Sequence, residues 1–426
     1  MTPPAKPRRR RRLWILLGLA VLAFAGLAWF LLADEAPRDD SDLRIPRVAV
    51  PDAENGYLLV KMEEKDVYWP EEEPATMLSG DTWHPELAAE ILRKNAEALK
   101  RLDSALSLPG FQCEEIDRFD EPSPGHACGA WRQLAEVQQL RAWSLFHDGK
   151  EEDALEQALR LVKFGFRIES TALNSLHMHV GLAIERTGLI LLHRLGRRCS
   201  TAFAHLPRLA ESMERLRSKA SILAGALRAD YRVNFHFIGV FASGEVELVS
   251  GPGFSRELVR RVILKPRRTC SRMAEAARLL IEDASVIDHP ENRLRTRIEA
   301  FVQCSWWDLS RNWFGQRIFE MLYVNEKTLG ACLEVNTLLS LTQAQLALTA
   351  FQAEKGALLE TLDELVPRYL ERVPVDPFGG KPIRYSREKR VVYSVGSDYI
   401  DSGGSAEERD DDATNDPNEP TLRLGR

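Results

Sequence analysis

The chain has 426 residues, room for two domains and an anchor, and its 44% hydrophobic content supplies a sizeable core, which excludes disorder throughout. Lysine and arginine number 57 against 63 acidic residues, a net charge of −6. Lys6 and Arg8 to Arg12 hold six of those cations, leaving −12 downstream; an acidic body with one basic end excludes nucleic acid as a partner, which calls for a broad basic surface.

Residues 1–12 are expected to be a basic cytoplasmic tail. Residues 13–33, LWILLGLAVLAFAGLAWFLLA, carry no charge and span about 30 Å as a helix, the thickness of a bilayer core. Arginines before the run and Asp34-Glu35 after it orient the N-terminus inward, and Trp14 and Trp29 sit near the two interfaces. A cleaved signal peptide is the rival reading, but its apolar region would be about 7–15 residues long and would end in a small-x-small site. An uncleaved single-pass anchor is expected, with the bulk of the chain outside the cytoplasm.

Residues 34–55, rich in Asp, Arg and Pro, read as a linker, and 56–68 as holding a short strand. A large helical domain is expected over 56–353. Leu87, Ile91, Leu92, Ala96, Leu99, Leu102 and Leu106 keep helical spacing over 85–108, and Pro109-Gly110 ends the run. Helices over 130–146 and 151–166 are joined by His147-Asp148-Gly149-Lys150. With Ala154, Ala158 and Leu161 following Gly149, this hairpin resembles one tetratricopeptide unit. Further helices are expected over 171–195, 205–231, 256–263, 269–287, 293–301 and 316–353, giving packed hairpins.

All six cysteines lie on the exported side, where disulfides are permitted. Cys113 and Cys128 flank a Pro- and Gly-bearing loop and are the expected pair, worth about 3 kcal/mol. A metal site with His126 is the weaker reading, because the CxxC spacing is missing. Cys199, Cys270, Cys304 and Cys332 sit in apolar helical contexts and read as buried thiols.

The character changes over 354–404. A helix over 358–370 is followed by VPVDPFGGKP, β-prone runs at 383–386 and 391–395 joined by four residues, and the loop GSDYIDSGG. The order LVPRYLERVPVDPFGGKPIRY…VVYSVGSDYIDSGG, within a match over residues 345–404, resembles the C-terminal half of the major pseudopilin of type II secretion systems. The resemblance implies a small α+β head with a β-hairpin and a calcium-binding final loop, with Asp398 and Asp401 as the ligands carried over. Calcium takes six to eight oxygens, which a turn with Ser397, Asp398, Asp401 and Ser402 can supply in part. The chain departs from that family at its N-terminus. The anchor holds no acidic residue, and about 300 mostly helical residues precede the head. Residues 405–426 are expected to be an acidic, flexible tail.

Nucleophile elbows, HExxH, P-loops and GxGxxG are all missing from the sequence. His177 and His179 are two apart on a helix and point to different faces. Trp306-Trp307 and Trp313-Phe314 read as core, and the basic run over 256–272 as a solvated face. The expected protein is mostly α: a transmembrane helix, an exported helical domain and a pseudopilin-like module. Its expected role is non-enzymatic, binding envelope proteins. The alternatives are an accessory of a type II secretion or pilus-like apparatus, and an enzyme with an unrecognised site in the helical domain.

Overall fold

The computed structural model describes residues 8–44, 48–70, 75–113, 125–243, 264–292, 312–322, 326–404 and 420–424. It is mostly helical, with one small antiparallel sheet, and it divides into two units. The first comprises Met1–Arg44, Tyr231–Arg278 and Thr296–Val324. The second comprises Ile45–Asp230, Leu279–Arg295 and Asn325–Arg426.

In the first unit, helix α1 (Arg8–Leu32) opens on five arginines and is free of charge over Leu13–Phe30, a stretch with no buried residue. Phe24 is 74% exposed and Trp29 71%. Such a helix is long and apolar enough to cross a membrane by length and composition. Residues 34–44, read as part of a linker, are tied down by charge instead. Arg267 and Arg268 donate their backbone amides to Asp34 at 2.9 and 3.1 Å, and Arg278 pairs with Asp42 at 2.7 Å. Tyr231 donates its hydroxyl to the buried Asp40 at 2.6 Å, and Leu43 is buried.

The second unit begins with short elements: α2 (Tyr57–Val60), α3 (Ala75–Ser79), α4 (Pro85–Lys94) and α5 (Ala96–Ser107). The strand expected within 56–68 is not formed. Buried Tyr57 and Val60 follow helical spacing, and the Trp131 indole donates to the Val60 carbonyl at 2.9 Å. The single helix expected over 85–108 is two. Asn95 breaks it, its amide donating to Tyr68 and Ile91 carbonyls while its oxygen accepts from Tyr68 N–H.

The core is built by α6 (Gly125–His147), α7 (Glu151–Ser170), α8 (Ser175–Arg198), α9 (Leu206–Met213) and the long terminal helix of the body. Before that helix come α10 (Ala220–Ser243), α11 (Pro266–Asp283) and α12 (Trp313–Leu322); the long helix itself is α13 (Glu326–Lys355). Gly149, at φ +76°, turns α6 into α7 as the sequence predicts. Trp131, Trp143, Leu161, Val162, Leu189, Leu192, Leu339 and Leu346 are all buried, each aliphatic contributing about 1.5–3 kcal/mol. The start of α7 is fixed by Glu151, whose carboxylate accepts from the amides of Ser200, Thr201 and Ala202 and the hydroxyls of Ser200 and Thr201. Burial alone would push this carboxyl up, but those donors outweigh it and hold it well below its ordinary value.

The C-terminal module packs on α13. Its hairpin pairs β1 (Arg384–Ser386) with β2 (Val391–Tyr393), as the two β-prone runs predict. The helix expected over 358–370 shrinks to a 3-10 turn, Leu362–Leu365, closed by a capping box between Thr361 and Glu364. A third strand, β3 (Thr421–Arg423), pairs antiparallel with β2 inside the stretch expected to be a flexible tail. Leu422 and Leu424 are buried, which explains why this short run is held.

Candidate functional site

Within the second unit, α9 and residues 367–377 of the C-terminal module face each other across an open groove of about 1380 Å³. Pro207 at the start of α9 fixes the helix entry, and the exposed side chains Arg208, Glu211 and Arg215 follow along that wall. Lys219 continues the basic line. Among the described residues, none of Arg208, Arg215 and Lys219 is in an ion pair. Phe203, Ala350, Leu370 and Val375 add apolar surface.

The floor is a hydrogen-bonded network hung from α13. Asn336 and Ser218 bond reciprocally: Ser218 N–H donates to Asn336 Oδ1 at 2.9 Å, and Asn336 Nδ2 donates to the Ser218 carbonyl at 3.1 Å. Gln343 Nε2 donates to the Ala210 carbonyl at 2.8 Å. Arg217 donates to Ser340 Oγ at 3.0 Å and to Glu214 at 2.9 Å. Arg372 reaches Glu214 from the opposite wall at 3.0 Å, and Ser340 donates to the Val375 carbonyl. Burial raises Glu214, but Arg217 and Arg372 outweigh it, so its carboxyl lies below the ordinary value. These contacts tie the two walls to each other and to α13.

Beneath this floor lies a feature that the sequence reading missed. Glu169 of α7 and Glu185 of α8 are each 0% exposed. Glu185 and Ser218 are the polar groups that act on Glu169, yet no oxygen of either carboxyl makes a hydrogen bond of ordinary geometry. Burial raises both carboxyls, and Glu169 raises Glu185 further, while the Glu185 and Ser218 side chains partly offset the rise at Glu169. The signal was present as a repeated pentapeptide, GFRIE at 165–169 and GLAIE at 181–185. A Cβ on Gly165 would meet Glu185 N at 2.4 Å, and one on Gly181 would meet Glu169 N at 2.6 Å. The two glycines let the helices touch backbone to backbone, and that contact is what brings the two acids together.

The residues singled out from sequence fall elsewhere. Asp398 is exposed and accepts from Ile400 N–H at 2.9 Å, an Asx turn. Asp401 pairs with Arg384 at 2.7 Å and accepts from Gly403 N–H. A calcium ion held by Asp401 would first have to displace Arg384. The buried acid of the module is Asp376 of DPFGG, which accepts from Phe378 N–H, Ser394 Oγ and Val395 N–H and pairs with Arg384 at 3.2 Å. That set gives DPFGG and YSVGSD a shared structural purpose: each motif supplies half of one buried anchor.

Cys113 and Cys128 are both buried. Burial pushes Cys128 up to about 11. Cys199, Cys270 and Cys332 are thiols as expected, with Cys270 half-buried and the other two buried. His177 and His193 are buried on α8, and the His179 ring nitrogen lies 2.7 Å from the Ser175 carbonyl. Cys304, Trp306, Trp307, the basic run over 256–263 and the helix expected over 293–301 lie outside the described residues. Compared with family models, curated proteins and solved structures, the chain matches none.

Proposed function

We propose that the chain is a single-pass protein of a bacterial inner membrane, with its N-terminus in the cytoplasm. Its exported body binds a carboxylate-bearing segment of another envelope protein and performs no catalysis. The groove between α9 and residues 367–377 carries this reading. Its volume of about 1380 Å³ exceeds the roughly 300–1,000 Å³ of small-molecule sites, and it is open along its length. Three exposed cations with no ion pair among the described residues line one wall beside apolar patches, with Glu211 between them, a mixture that an extended peptide carrying carboxylates can meet. The α1 helix and its basic flank support the anchored orientation.

The test is affinity capture of the tagged full-length protein beside R208E/R215E/K219E. The reading predicts a co-purifying protein that is lost from the triple variant and kept by a K100E/R101E control on α5. Equal recovery from both variants would refute it.

A second reading, an accessory of a type II secretion or pilus-like apparatus acting through the C-terminal module, is favoured by the Asp376–Ser394 anchor that joins the two resembling motifs. Calcium at Asp398 and Asp401 belongs to this second reading, and it requires Arg384 to leave Asp401. A melting temperature unmoved by millimolar calcium would remove it.

A further inference from the structure

We infer that Glu169 and Glu185 are a proton-holding pair that locks the groove floor: a proton kept on the pair holds the α7–α8 crossing closed, and its loss loosens the crossing and the Arg217–Ser218 segment beside it. The geometry begins with the crossing itself, where the Gly165 and Gly181 backbones sit against Glu185 and Glu169. Neither acid is exposed to water. Two adjacent carboxylates in a dry interior cannot both ionise, so a proton stays with the pair.

The neighbours do not compensate a second negative charge. From α13 the facing titratable group is Cys332, a fully buried thiol that the two acids push further up. Arg217, in the segment between α9 and α10, is the cation acting on Glu185, and its donors are already spent on Glu214, Ser340 and Gln343. Between α6 and α7, Gln138 donates to Gln157, a neutral contact. His177 and His193 lie to either side along α8. Ser218 and Arg217, whose side chains bear on Glu169 and Glu185, also line the groove floor, Ser218 through its amide on Asn336 and Arg217 through its guanidinium on Ser340 and Glu214.

The sign of the pH dependence follows from burial. Glu169 is raised from 4.5 to about 7 in the folded protein, so the folded state holds a proton that the unfolded chain has lost. The stability this contributes is full below about pH 4.5 and disappears as pH rises through about 7.

The experiment compares the full-length protein in detergent with E169Q, E185Q and E169Q/E185Q. Glutamine keeps the shape of a protonated glutamate and cannot ionise. Melting temperatures are read between about pH 5 and about pH 8, with hydrogen exchange of peptides covering 160–190 and 214–222 at each pH. The pair predicts a wild-type melting temperature that falls by several degrees relative to the double variant as pH rises. It also predicts exchange over 214–222 that speeds up in the wild type alone. In the wild-type infrared spectrum, the carbonyl band of a protonated carboxyl should disappear in the double variant. A wild-type-to-variant difference that is the same at every pH overturns the inference. So does a wild-type spectrum at neutral pH without that carbonyl band, a result that stands even if the variants fail to fold.

Discussion

Glu151, Asp376 and the Glu169–Glu185 pair are carboxyl groups taken out of water, and they differ in what meets them. Glu151 and Asp376 are supplied with backbone amides and hydroxyls, and they fasten chain segments far apart in sequence. Removing such an acceptor strands several buried donors. Asp376→Ala should cost about 3 kcal/mol in thermal melts of the full-length protein, while the exposed Asp398→Ala should stay within about 0.5 kcal/mol. Glu151, held below its ordinary value by its donors, contributes stability that is present above about pH 4.5 and lost as pH falls below it. Glu151→Gln should remove that acid sensitivity, as a pH series of melting temperatures would show. The sequence made Asp376 visible only as part of a turn motif. Its partners lie in YSVGSD, beyond the hairpin, so no local pattern marks it as buried. Glu169 and Glu185 were hidden for a related reason: a charged residue inside an apolar helical period reads as the solvated edge of a helix. Only the duplicated G-x-x-I-E distinguishes them.

Helical periodicity located the α6–α7 hairpin and the flanks of α8, because Leu, Ala and Val recur there at the spacing of one buried face. It did not reveal the breaks. Asn95 splits one apolar stripe through side-chain bonds to residues far back in the chain, and periodicity does not register a side-chain acceptor. The strand β3 escaped because TLR is three residues beside an acidic run, and what holds it is tertiary. Removing residues 420–426 should lower the stability of the module by about 2–4 kcal/mol, since Leu422 and Leu424 leave the core. Glycines separate the two kinds of helix packing. Gly225→Ala on α10 meets open space and should stabilise by up to about 1 kcal/mol. Gly165→Ala drives a methyl into the Glu185 backbone and should destabilise by about 2 kcal/mol or more, and denaturant titration of both variants would show the opposite signs.

At the scale of the whole molecule, an uncovered apolar helix belongs to one unit and an open, partly basic groove to the other. Composition made the first legible, since a charge-free run after five arginines has few alternatives. The groove was not legible, because its walls come from residues 203–219 and 367–377, which only the fold brings together. The proposed orientation predicts that a reporter enzyme active only outside the cytoplasm works when fused after residue 404 and fails when fused before residue 8. The groove itself is tested most directly by a photo-crosslinking amino acid placed in living cells at Arg208, at Glu211 or at Arg372, with Glu97 on α5 as the control. The account predicts one discrete crosslinked species shared by the three groove positions and missing from the control, shrinking when an acidic peptide of the captured protein is supplied in excess. Adducts at the control position equal to those at the groove, or none at any groove position, would contradict it.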